Sequence, residues 1–307
     1  MVLCILISIS SNNLFTQWVC LEINMLCFIP LLVRNLRERS ILRGVKYFIS
    51  QRLASLVFIL GSLAIGKGVL ADRLVRLALV FKLGIPPFHS WLINILGTIS
   101  YSRIMLVFTV QKFLPLFIIS QLMVIEVWIW MIILSLIGLT VAYVNRVGRF
   151  FVLLIFSGAI NRIWIIRRVS KGGSWVYFLV AYTTVLRGLI IRLRRLKLFK
   201  INDRVNTGWT GSVMLGLHLL NLGGLPPLVG FIIKLRLLKP LVILTVSLGV
   251  GLVVRSLVIL YLYVVFCYHA FSSPKNGELN HLGELSSPAF LAGALTLSRT
   301  MYWVWLL

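Results

Sequence analysis

Apolar runs recur from one end of the chain to the other, cut by short clusters of basic residues or of Gly, Pro, Ser and Asn. A continuous apolar run of helical length reads as a membrane-crossing helix. After a short first segment over about 1–10, the runs predict spans over 14–33, 47–66, 74–97, 104–122, 124–144, 149–167, 174–192, 212–235, 240–269 and 287–307. A membrane strand would instead alternate apolar and polar positions over about ten residues, and no run does so. The expected fold class is therefore all-α, a polytopic transmembrane bundle of about 10–11 helices forming a single multi-pass membrane domain over 1–307. The first segment is short for a crossing and reads as a truncated or tilted helix.

Composition sharpens this picture. Of 307 residues, 60% are hydrophobic and 12% charged, where a soluble domain keeps about a quarter of its residues charged. A net charge of +24 would ordinarily suggest nucleic acid, but in a membrane protein Lys and Arg collect in loops on the insertion side. Loop 34–46 carries Arg34, Arg37, Arg39, Arg43 and Lys46 against Glu38, and loop 192–210 carries Arg192, Arg194, Arg195, Lys197, Lys200 and Arg204 against Asp203. Both are placed on the insertion side, and no nucleic-acid partner is expected. Cys4, Cys20, Cys27 and Cys267 form no C-x-x-C pair and lie in apolar runs, so they read as packing residues. Residues 1–10 lack a basic leader and a cleavage site, and read as mature protein.

Charges inside the apolar runs are functional candidates, because a charge at bilayer depth costs several kcal/mol. Those well inside spans are Glu22, Lys82, Lys112, Arg162, Arg187, Lys234 and Arg255, of which Glu22 alone is acidic; Arg52 and Glu126 fall near span ends and read as interfacial. Glu22, beside Asn24, is either a carboxyl kept protonated by burial or the partner of a buried lysine. Lys82 precedes Gly84, Pro86 and Pro87 in KLGIPPFHSW, where two missing amide donors predict a helix break. Broken backbone at membrane depth must be satisfied by protein or water, which suits a proton relay. Lys112, in QKFLPL, lies too deep for easy snorkelling. A second break is predicted in NLGGLPPLVGFIIK by Gly223, Gly224, Pro226 and Pro227, with Lys234 following as either relay or snorkelling anchor. His89 and His218 flank the breaks and read either as members of a water chain or as hydrogen-bonded structural residues. No His pair has metal-ligand spacing, and no phosphate loop, dinucleotide fingerprint or nucleophile constellation occurs.

The strings WVCLEINMLCFIPLL with KYFISQ, KLGIPPFHSW, QKFLPL and NLGGLPPLVGFIIK occur in that order over about residues 10–240. In this they resemble the subunit 2 family of mitochondrial NADH:ubiquinone oxidoreductase, antiporter-like subunits of the membrane arm of respiratory complex I. The resemblance implies a proton-pumping module in the mitochondrial inner membrane, antiporter-like with two broken helices. It implies that Glu22 pairs with Lys82, that Lys112 passes protons onward, and that Lys234 leads toward a neighbouring subunit. Implied partners are the lipid bilayer and other membrane-arm subunits, including neighbouring antiporter-like ones. The chain itself would bind no cofactor, since NADH, FMN, iron-sulfur clusters and ubiquinone are bound elsewhere in the complex. Departures from the family pattern are Leu92, Ile93 and Asn94 after the tryptophan, Arg149 and Arg162 in GRFFVLLIFSGAINRIW, which only loosely matches the family's Lys-containing, Ser-rich helix, and Arg52 in place of a small polar residue. The rival readings are an independent cation/proton antiporter and a structural subunit that no longer pumps.

Overall fold

The computed structural model describes residues 1–33, 38–64, 69–85, 88–96, 100–122, 150–169, 175–196, 209–226, 228–242 and 246–271. All regular structure among them is helical. The expected spans 124–144 and 287–307 lie outside the described residues. Leu14–Val33, Tyr101–Gln121 and Trp175–Arg195 are each long and apolar enough to cross a membrane, and shorter apolar helices accompany them. The protein is a multi-pass membrane protein. Its backbone forms two compact units, Met1–Thr140 with Ile166–Gly173, and Val141–Ile165 with Ser174–Leu307.

The first unit contains α1 (Val2–Ser10), α2 (Leu14–Val33), α3 (Glu38–Leu63), α4 (Val69–Leu83), α5 (Ser90–Leu96), α6 (Tyr101–Phe108) and α7 (Val110–Gln121). With 9 residues, α1 rises about 14 Å, too little to cross the roughly 30 Å hydrocarbon core. Helix α3 begins at Glu38 rather than near residue 47, because the Glu, Arg and Lys of the preceding segment are good helix formers and simply continue the helix outward. It packs between α2 and α4. Its other face exposes Leu42, Val45, Ile49, Leu53, Leu56, Leu60 and Leu63. At a spacing of three to four residues these form one stripe, a surface suited to lipid chains.

The expected span 74–97 is two helices, α4 and α5, separated by a break after Leu83. Gly84 has φ +64°. Its N–H bonds to Phe81 O at 2.9 Å and that of Ile85 to Val80 O at 3.4 Å, the paired bonds that close a helix around a left-handed C′ glycine. A Cβ at Gly84 would lie 2.4 Å from Leu92 Cδ1, so glycine is required by packing as well as by φ. Span 104–122 is also divided, at Thr109 with φ −110° and ψ −81°. There the hydroxyl donates to Met105 O at 2.7 Å, a back-bond that bends helices.

The second unit contains most of α8 (Phe150–Val169), with α9 (Trp175–Leu196), α10 (Trp209–Gly223), α11 (Val229–Val242) and α12 (Val246–Phe271). Helix α10 packs against α9, α11 and α12. The break between α10 and α11 repeats the first one. Gly224 has φ +82°, its N–H bonds to Asn221 O at 3.2 Å, and that of Leu225 bonds to Leu220 O at 3.1 Å. Pro226 lies in this turn, whereas Pro86, Pro87 and Pro227 fall outside the described residues.

Candidate functional site

In the first unit, the end of α4 meets α7. Lys112 is 1% exposed, and its Nζ donates to the carbonyl of Lys82 at 3.1 Å while lying 4.6 Å from the centroid of the Trp91 ring. Both contacts have clear physical causes. The last carbonyls of α4 have no helical amide to serve them, and they form the negative end of the helix dipole. A desolvated aromatic face attracts a cation with about 2 kcal/mol. Trp91 is itself fixed by its indole N–H, which donates to Phe81 O at 3.2 Å. Because Thr109 restarts the helix just before it, Lys112 sits in the first turn of α7, where the dipole disfavours a cation. The side chain instead reaches across to α4.

Around this contact lie Asn24 of α2, Tyr47 and Gln51 of α3, and Gln111 of α7. With Lys82, Trp91 and Lys112 they line a cavity of about 20 Å³, room for about one water. Asn24 Nδ2 and Tyr47 Oη both donate to Gln111 Oε1, at 3.2 and 3.3 Å. Asn24 Oδ1, Gln51 Nε2 and Gln111 Nε2 are buried with no hydrogen-bond partner among the described residues. Such atoms in a polar cavity are the usual partners of an internal water.

Glu22 is 7% exposed, but the Lys82 pairing expected from the family resemblance is not its closest contact. Its Oε2 lies 3.0 Å from Nη1 of Arg52. Lys82, 5% exposed, is near enough to interact with the charges of both Glu22 and Arg52. Arg52 lies near the middle of α3, which extends back to Glu38. Sequence reasoning named Arg52 but missed its pairing with Glu22, which is set by how α2 and α3 pack. It also missed Arg76, 5% exposed and paired with Asp72 one turn earlier at 3.5 Å, where the i, i+4 spacing was a usable signal. His89 lies half-buried in the turn before α5.

In the second unit, Lys234 is 8% exposed and donates to Gly223 O at 2.6 Å, so it is a buried group on the broken helix and not a snorkelling anchor. Asn221 joins the two halves: its Oδ1 accepts from Gly230 N at 2.8 Å. Asn221 Nδ2 is buried without a hydrogen-bond partner among the described residues, and Asn221 borders, with Asn161, Tyr182 and Lys234, a second cavity of about 20 Å³. His218 Nδ1 lies 2.8 Å from Met214 O on its own helix. Arg162 is 4% exposed and turns back on α8, its Nε donating to Gly158 O at 2.9 Å. Arg187 is exposed on α9, and the side chain of Arg255 falls outside the described residues.

No protein-family model matches the chain. It is 30% identical over 306 residues to NADH-ubiquinone oxidoreductase chain 2 of Myxine glutinosa, covering 91% of this chain and 86% of the relative. The protein of the same name from Anopheles gambiae is 28% identical over 288 residues, covering 87% of this chain and 82% of the relative. In fold, the chain is similar to one in respiratory complex I from Thermus thermophilus with bound aureothin, at TM-score 0.80, 19% identity, and coverage of 95% of this chain and 74% of that one. A chain of the Mrp complex from Dietzia sp. is similar at TM-score 0.71 and 18% identity, over 86% of this chain and 57% of that one.

Proposed function

Because the chain belongs to the NADH-ubiquinone oxidoreductase chain 2 family, we propose that it works as a proton-translocating membrane-arm subunit of respiratory complex I in the inner mitochondrial membrane. Electrons pass from NADH to ubiquinone on groups bound elsewhere in the assembly. This chain contributes buried ionisable side chains, and both of its units serve one translocating module whose partners are other membrane-arm subunits and lipid.

The observation that carries the reading is the seating of Lys112 and Lys234 on the carbonyl ends of broken helices, each beside a small cavity with unpartnered polar atoms. A protonated lysine is held there by an exposed carbonyl and a helix dipole. A neutral amine feels much less of that attraction and is free to turn toward a cavity water. The same side chain thus has one position for each protonation state, which is what a relay needs. Glu22 and Lys82 supply the charge pairing that biases the first unit, and His89 stands beside its break as a further candidate.

The test is the assembled complex in sealed vesicles, comparing Glu22→Gln and Lys82→Met with the parent. Protons translocated per NADH oxidised should fall in both while the complex still assembles; pumping unchanged in both would refute the mechanism. The likeness to the Mrp complex chain favours one alternative, a cation/proton antiporter independent of complex I. Purification in mild detergent separates the readings, since the present one requires copurification with complex I subunits and no cation/proton exchange by the isolated chain.

A further inference from the structure

Four charged side chains surround the first site, one from each of four helices: Glu22 on α2, Arg52 on α3, Lys82 on α4 and Lys112 on α7. The remaining polar groups there are the amides of Asn24, Gln51 and Gln111 and the phenol of Tyr47. One carboxylate therefore stands beside two cations, Lys82, whose charge it feels, and Arg52, its ion-pair contact at 3.0 Å. The two cations nearest to it differ in their surroundings. Arg52 keeps 42% of its side chain exposed and stacks on Phe48, 5.2 Å from the ring centroid. Lys82 is 5% exposed.

We propose that Arg52 is a positioning residue of the translocation site, competing with Lys82 for the carboxylate of Glu22, so that the carboxylate switches between the two. The proposal rests on the proton-translocation reading above. A guanidinium stays protonated in proteins, so Arg52 neither takes nor delivers a proton. Its effect is exerted on where Glu22 points. Releasing Glu22 is easy on the arginine side, because Arg52 is 42% exposed and its freed guanidinium keeps both water and its stack on Phe48. Pairing Glu22 with a protonated Lys82 gains more per contact, because that ammonium is buried where attraction is weakly screened. The gain exists only while Lys82 carries its proton. The protonation state of Lys82 therefore decides which cation holds the carboxylate, giving a two-state element with a small free-energy gap.

The experiment uses Arg52→Gln and Arg52→Lys in the assembled complex, with Glu22→Gln and Lys82→Met as controls. Arg52→Gln should leave Glu22 on Lys82, lowering the protons translocated per NADH oxidised and displacing the pH profile of pumping. Arg52→Lys restores the competing charge and should recover most of the ratio. The carboxylate infrared band that disappears in Glu22→Gln should shift in both Arg52 variants. Arg52→Gln with the parental ratio, pH profile and band would overturn the proposal, as would an assembled Arg52→Lys as defective as Arg52→Gln. Should Arg52→Gln fail to assemble, the band in Arg52→Lys decides, and an unshifted band overturns the proposal. If the controls pump normally, the translocation reading fails; if they are defective while the Arg52 variants are normal, only the role of Arg52 fails.

Discussion

The two helix breaks are closed by the same pair of backbone bonds around a left-handed glycine, yet their exposed carbonyls are served from different distances along the chain. At the first break the donor to Lys82 O is Lys112, which belongs to another helix and is 30 residues away. At the second, the donor to Gly223 O is Lys234, which is 11 residues on in the other half of the same broken helix. The first lysine ties two helices together; the second closes a local hairpin. The first break is bordered by side chains of α2, α3 and α7 and by an aromatic face, whereas the second is bordered by Asn161 of α8 and Tyr182 of α9 and has Asn221 bonding across its own turn. One motif thus has its exposed carbonyl served by another helix in one unit and by its own second half in the other.

Substitutions at the paired glycines should separate the breaks most strongly. Gly84→Ala combines a left-handed residue with a Cβ 2.4 Å from the packed Leu92 side chain, a cost of about 3 kcal/mol from strain and overpacking together. At Gly224 the Cβ would meet chiefly the flexible end of Lys234, 2.9 Å away, leaving about 1–2 kcal/mol of backbone strain. Yields of assembled complex should therefore fall much further for Gly84→Ala, and equal yields would show that the first break is not the tighter one. Next in size are Lys112→Met and Lys234→Met. Each removes a proposed relay group, and pumping by reconstituted vesicles should slow roughly tenfold or more. Only Lys112→Met should also loosen α4 from α7, seen as faster amide hydrogen exchange in both helices, whereas Lys234→Met should confine the change to α10 and α11. Trp91→Phe is milder: it deletes the indole bond to Phe81 O and weakens the aromatic face beneath Lys112, about 1 kcal/mol in thermal stability of the complex. The smallest effect belongs to Asn221→Ala, which removes one neutral hydrogen bond at the second break, about 1 kcal/mol or less, with no change at the first.

The helices and both breaks were legible because each has a strong local cause. Apolar runs must be helical in lipid, and Gly-x-Pro-Pro cannot continue a helix. The burial of Lys112 was legible from its depth in an apolar run. Glu22's partner was not, because pairing is decided by which faces of α2, α3 and α4 meet. The start of α3 was missed for another reason: a charged segment reads as a loop when only hydropathy is weighed, although Glu, Arg and Lys favour helix. The division at Thr109 was missed for a similar reason. A single threonine in an apolar run looks unremarkable until its hydroxyl is seen bonded to the preceding turn.

That threonine carries a consequence of its own. An α-helix advances about 100° per residue around its axis, so the place where α7 restarts fixes the angular phase of Lys112. Inserting one alanine between Thr109 and Lys112 would swing the ammonium by about 100° and carry it off Lys82 O and Trp91, with every ionisable residue still present. Deleting one residue would swing it equally far the other way. The joint between α4 and α7 is therefore written in the chain as a rotation as much as a lysine, and its tolerance to changes of length should be far poorer than its tolerance to changes of side chain.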